Sequence, residues 1–469
     1  MPLLGIIILN LPLGGVMRKT TFWLCLALFM AQICLVLAPN MNNTGPFFKF
    51  DLIIDELSRV VLFCIALVSA VSLLAGEQLI KDENRKFNFA SLLLAVVAGM
   101  NGVVMVKDVF SLYVFLEITA VASFILISLF REMGGLEAAF KYLLLSAVAT
   151  VLMLSSVALL LLLSGDTSFA GINAAIITSP HSHLIMLAIG LFICGLFIKG
   201  GLMPFHGWLP DAYSASPAPV SILLAGIVTK TAGVYSLIRI MTLVFVFDDP
   251  VKYVLMFVGA VSIVFGALAA LGQSDLKRML AYSSISQVGY IIIGLGCGTV
   301  LGIFGAVFHL FNHAVFKSLL FVNSAAVESQ TNTRDMDKLS GLAEKMPLTG
   351  VTSLLAMLST AGIPPLSGFW SKLLIILALW LSGHYFYAVV AILASVITLA
   401  YFLSMQRRVF WGKTGNEFRG VREAGIYLAI PALILAAITV AVGLIFPFVI
   451  NMFIQLPDII ALPAGRQGG

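Results

Sequence analysis

Long apolar runs alternate with short polar breaks along the whole chain. Fourteen runs are legible: 2–17, 20–39, 57–77, 89–106, 109–130, 137–163, 183–203 (continuing irregularly to about 213), 217–240, 251–272, 279–297, 301–327, 349–380 (interrupted), 385–406 and 426–452. Most approach or exceed the roughly 20 residues that an α-helix needs to cross a bilayer. They are continuous rather than alternating, which predicts helices and argues against a transmembrane β-barrel. The expected fold is all-α, a polytopic membrane protein with about fourteen transmembrane helices. The longest polar stretch, 328–346, is a connection and not a domain, and the tail 464–469 reads as unstructured.

Composition sharpens this. Of 469 residues 60% are apolar and 10% charged, with a mean hydropathy of +1.07, against about 25% charged in a soluble chain. The net charge of +5 follows topology and implies no nucleic acid. Sixteen Lys and Arg fall after odd-numbered spans and six after even ones or in the tail. That bias predicts a cell-membrane protein with both termini outside the cytoplasm. A cleaved signal would carry its basic residues before the first apolar run. Here Arg18 and Lys19 follow it, so 2–17 reads as a retained helix. The five cysteines stand singly and suggest buried thiols rather than a disulfide framework.

Two spans carry breakers. The seventh reads Lys199-Gly200-Gly201-Leu202-Met203-Pro204-Phe205-His206, and the twelfth Gly362-Ile363-Pro364-Pro365-Leu366-Ser367-Gly368. Proline removes a backbone donor and clashes with the preceding turn, and unpaired backbone at membrane depth is tolerated only against protein or water. A harmless kink is the bland alternative for either one alone. The breaks lie five spans apart, an odd number that reverses direction, so spans 4–8 (89–241) and 9–13 (251–411) are expected to be inverted repeats between flanks 1–88 and 412–469. Paired broken helices point to a transport site.

Charged residues inside the spans cost roughly 2.5–3.5 kcal/mol each and usually mark function. Glu117 lies mid-span, with Lys199 at the seventh break as its nearest candidate partner; a static pair that only fixes packing is the rival reading. Lys230 sits centrally in its span, too far from either end to reach water easily. His309, His313 and Lys317 recur every four residues on one helix face, a row suited to relaying protons because histidine titrates near neutrality. Two histidines so spaced could also share a metal, but no acid in the segment completes a site, and no metal or cofactor is expected. Lys372 follows the second break. His206, Asp211, Pro204, Pro364 and Pro365 are candidate gating or capping residues. Lys141 has Glu137 one turn away, a surface pair, and His181 and His183 read as solvated.

The stretches Phe115-Leu116-Glu117, Lys199 through Pro219, Val228 through Tyr235, His309 through Phe321 and Gly362 through Lys372 resemble the antiporter-like subunits of respiratory complex I, Mrp-type Na+/H+ antiporters and energy-converting hydrogenases. The resemblance covers about 60–410. It implies fourteen helices, two inverted repeats and a polar axis. Glu117 and Lys199 would be the coupling pair, Lys230 the central group, His309, His313 and Lys317 the second half, and Lys372 the terminal group. The partners it implies are other integral membrane subunits, H+ and possibly Na+. A lysine at 372, where one complex I branch carries glutamate, and the absence of a long lateral helix lean towards a hydrogenase or Mrp-type complex. An Mrp-type Na+/H+ exchanger is the alternative function, and a quinone-reducing centre in this chain a third.

Overall fold

The computed structural model describes residues 2–9, 15–38, 52–178, 183–245, 247–418 and 420–454. The tail expected to be unstructured, His181 and residues 10–14 of the first expected span lie outside these residues. The helices are α1 (Pro2–Leu9), α2 (Gly15–Leu37), α3 (Glu56–Leu79), α4 (Glu83–Met105), α5 (Val109–Ile127), α6 (Met133–Ser164), α7 (Phe169–Thr178), α8 (His183–Gly200), α9 (Trp208–Ala215), α10 (Ala218–Leu223), α11 (Ser236–Leu243), α12 (Asp249–Leu271), α13 (Leu276–Gly296), α14 (Val300–Thr331), α15 (Pro347–Ala361), α16 (Ser367–Leu381), α17 (Tyr385–Val409) and α18 (Ile426–Ile454). Twelve helices among the described residues are long and apolar enough to cross a membrane. The interrupted twelfth span, α15 with α16, and the short α1 account for the other two expected.

Several boundaries differ for local reasons. Arg18 and Lys19, expected in a loop, lie within α2. The fourth span begins at Glu83, ahead of the expected 89, because the Asp82 carboxylate accepts from the Arg85 backbone N–H and caps a polar first turn. The loop before α8 contains the unforeseen α7, whose Phe169, Ile172 and Ile176 are buried and whose Asn173 donates to the Val244 carbonyl.

Both breaks are real interruptions. α8 ends at Gly200 and the chain resumes as α9; α15 ends at Ala361 and resumes as α16. The two share their geometry: a left-handed glycine (Gly201, Gly362) and a cis proline (Met203–Pro204, Pro364–Pro365). In both, the next backbone N–H closes the helix end, Leu202 onto Phe197 and Ile363 onto Leu358.

A second motif recurs at a constant spacing of 167 residues. Asp108 bridges antiparallel to Ser168, and Asp275 to Asp335. Val109 N–H donates to Thr167 and Leu276 to Arg334; Phe169 donates to Lys107 and Met336 to Ser274. Each aspartate caps the following helix. The helix before the second strand position ends on a left-handed residue in both, Gly165 and Asn332. The pairs α5 with α6 and α13 with α14 are therefore tied off by the same backbone bonds, although the sequences around the two aspartates differ.

Candidate functional site

Of the titratable residues expected from the sequence, Lys199, Lys230, His309, His313, Lys317 and Lys372 are buried, and Glu117 pairs with the first of them. Lys199 Nζ, at the end of α8, donates to Glu117 Oε1 at 2.6 Å and to Ser146 Oγ at 3.0 Å. Thr150 Oγ1 donates to the same carboxylate oxygen at 2.7 Å. The lysine side chain is 1% exposed, while that of Glu117 is 28% exposed on the flank of α5. The pair is therefore buried at its cation and reachable at its anion.

Lys230 lies where the eighth span leaves α-helical geometry. Between α10 and α11 the backbone runs in two π-helical stretches, Leu224–Val228 and Lys230–Tyr235, a geometry concentrated at functional sites. The wider turn offers carbonyls out of α register. Lys230 Nζ donates to Ala225 O at 2.5 Å, to Thr229 Oγ1 at 3.1 Å and to Tyr213 OH at 3.4 Å. Glycines set its distance from Lys199: a Cβ on Gly233 would collide with the backbone of Gly200, so α8 and the π-helical segment meet backbone to backbone.

His309, His313 and Lys317 are wholly buried on α14. Lys317 Nζ donates to Ser283 Oγ at 2.6 Å and to Leu280 O at 3.3 Å, and Ser283 is 2.8 Å from Tyr401 OH. His309 Nδ1 lies 2.8 Å from Ser371 Oγ, next to Lys372. Lys372 Nζ has no hydrogen-bond partner and stands over the Tyr290 ring, 4.4 Å from its centre. The His313 ring nitrogens make no hydrogen bond of good geometry either. Among the described residues no group of three or more His, Cys, Asp or Glu could hold a metal.

The candidate gating residues divide. Asp211 accepts from Lys141 at 2.8 Å and pairs with Arg278 at 3.1 Å, joining α6, α9 and α13. Lys141 thus reaches beyond Glu137, which it also meets at 2.7 Å. His206 lies only 3.3 Å from its neighbour Pro204's carbonyl and touches none of the other site residues by hydrogen bond. Beside α9 a cavity of about 230 Å³ is lined by Arg131, Glu132, Ser216, Lys277, Glu328 and Arg334.

The hydroxyl partners were not foreseen. Ser146, Thr150, Tyr213, Thr229, Ser283, Ser371 and Tyr401 carry no charge to betray them in an apolar span. The 167-residue offset, known only from the folded backbone, pairs Ser146 and Thr150 with His313 and Lys317, and Glu117 with Ser284. Positions that carry the ion pair's hydroxyls on α6 thus correspond to a histidine and a lysine on α14. Asp55 and Arg239 were also missed as a pair. Their bidentate contact at 2.6 and 2.8 Å ties α3 to α11. Burial alone would raise the Asp55 carboxyl, but the guanidinium outweighs it and holds the group at about 2.

A family model described as "NADH:quinone oxidoreductase/Mrp antiporter, TM" matches residues 106–398. A Na+/H+ antiporter subunit of Alkalihalophilus pseudofirmus is 32% identical over 90% of this chain and 86% of its own length. An NADH-quinone oxidoreductase subunit of Desulforudis audaxviator is 35% identical over 77% of this chain and 73% of its own. Among solved structures, a chain of the Mrp complex from Dietzia sp. DQ12-45-1b superposes with a TM-score of 0.87 at 26% identity, covering 96% of this chain and 94% of that one.

Proposed function

Because this chain belongs to the NADH:quinone oxidoreductase/Mrp antiporter transmembrane family, we propose that it moves protons along Glu117, Lys199, Lys230, His313, Lys317, His309 and Lys372 as one subunit of a multisubunit membrane complex. The observation that carries this reading is the burial of three lysines and two histidines besides an acid–base pair, Glu117 with the buried Lys199, whose carboxylate opens to the chain's flank. A scaffold has no use for such groups, since apolar residues of similar size would hold the helices at no desolvation cost.

In this reading the chain comprises two inverted five-helix units, 89–241 and 251–411, between 1–88 and 412–469. It lies in the cell membrane with both termini outside the cytoplasm. A neighbouring subunit on the α5 flank acts on Glu117. When that carboxylate is drawn away, Lys199 loses its counter-charge, and its repulsion of Lys230 across the Gly200–Gly233 contact drives a proton off one of them. The displaced proton passes to the α14 row and on to Lys372. The cavity beside α9 is the cytoplasmic mouth, with Asp211 and the prolines at 204, 364 and 365 holding the broken helices in place. The driving reaction belongs to a partner of hydrogenase or NADH-quinone oxidoreductase type.

A second reading, Na+ exchange against H+, is favoured by the relative named as part of a Na+/H+ antiporter. Glu117 is the one acid on the proposed path, and lysines repel a bare cation. The test is the intact complex in proteoliposomes with a pH-sensitive dye, with and without Na+. The proposal expects acidification independent of Na+ and lost in Lys317→Ala, about a hundredfold in rate. Acidification that requires Na+ supports exchange, and an unchanged rate in Lys317→Ala removes the α14 row from the path.

A further inference from the structure

One helix, α13, touches both Lys317 on α14 and Lys372 on α16. Ser283, Gln287 and Tyr290 follow at intervals of four and three residues and share one helix face. All three are wholly buried. Ser283 binds the Lys317 ammonium. The Tyr290 ring lies under Lys372 and 5.8 Å from the His309 ring. The helical rise puts Gln287 about 6 Å along the axis from the first and about 4.5 Å from the second.

Neither Gln287 Oε1 nor Nε2 makes a hydrogen bond of good geometry within the protein; the amide only approaches the Tyr401 hydroxyl. Buried amides are rarely left so, because desolvating them unpaired is costly. The polar atoms that share this condition include both His313 ring nitrogens, His309 Nε2 and Lys372 Nζ. Lys317 and Lys372, which meet Ser283 and Tyr290 on the turns of α13 before and after Gln287, bracket it along the helix.

We propose that Gln287 is the positioning residue of the second unit: its amide holds the water that bridges Lys317 and His313 to His309 and Lys372. A carboxamide suits this task. It donates and accepts at once, so it can orient water in either direction, and it does not ionise, so it never traps the proton. The proton leaves one nitrogen for bridging water as another proton leaves that water for the next nitrogen; nothing is oxidised or reduced.

This inference rests on the proton-path reading, and the test separates the two. The intact complex is reconstituted with Gln287→Leu, Gln287→Met, Gln287→Ala and, as control, Lys317→Ala, and acidification is measured beside subunit assembly. Leu and Met fill the site with apolar volume and leave no room for water. The expected loss is about tenfold or more for both, with Ala retaining clearly more activity because it opens space. A packing role predicts the reverse order, since Ala leaves the larger cavity. Ala no better than Leu and Met, or Leu and Met within about twofold of the wild type, overturns the assignment. If Lys317→Ala also keeps full rate, the proton path itself fails; if only the Gln287 variants do, this inference alone falls.

Discussion

At the residue scale, Glu117 and Lys199 hold one another in a state neither would keep alone. Their 2.6 Å contact offsets the cost of taking an ammonium out of water, and the Ser146 and Thr150 hydroxyls complete the shell. Removing one partner leaves the other uncompensated, a penalty larger than the pair's own contribution. Glu117→Gln should therefore destabilise the chain by about 3 kcal/mol, at the low end for buried pairs because the carboxylate is partly exposed. The double variant Glu117→Gln/Lys199→Met should regain most of that loss. Thermal unfolding of the detergent-solubilised complex measures both; a double variant no more stable than the single one contradicts the pairing energetics. The charged members of this site were readable from the sequence because a charge in an apolar run has a single cost and few excuses. Their hydroxyl partners were not, since Ser and Thr are unremarkable in membrane helices and only the fold brings Thr150 to Glu117.

At the element scale, interruptions do the positioning. The breaks after Gly200 and Ala361 free backbone groups, and the π-helical stretches around Lys230 turn Ala225's carbonyl towards its ammonium. Proline announced the first kind of break in the sequence. The second kind has no breaker residue: Leu224 through Tyr235 reads as an ordinary apolar helix, and its register change emerges only from packing. Gly233 is the contact that sets the spacing between α8 and this segment. Gly233→Ala must push the two backbones apart, so transport should fall about tenfold or more, in line with the cost of small misplacements at reacting groups. Gly190→Ala, on the same α8 but in open space, should leave transport unchanged. Equal rates for both variants, read from proteoliposome acidification, would show that the backbone contact has no part in the pathway.

At the scale of the whole molecule, two local motifs occur twice, the broken helices and the backbone bridges beside α5 and α13. Apolar runs made the span count visible and the prolines made the breaks visible, because both are one-dimensional patterns. The backbone bonds at Asp108–Ser168 and Asp275–Asp335 lie in polar connections where the sequences diverge, so this correspondence was hidden until the chain was folded. The charged groups divide along the chain: Glu117 on α5 and Lys199 on α8, then His309, His313 and Lys317 on α14 and Lys372 on α16. Lys230 stands between them in the chain, at the start of the second π-helical stretch. Its replacement by alanine in the assembled complex is the most direct measurement. The account predicts that Lys230→Ala assembles with its partner subunits, yet acidifies proteoliposomes about a hundredfold more slowly than the wild type. Acidification at the wild-type rate by an assembled Lys230→Ala complex would contradict it.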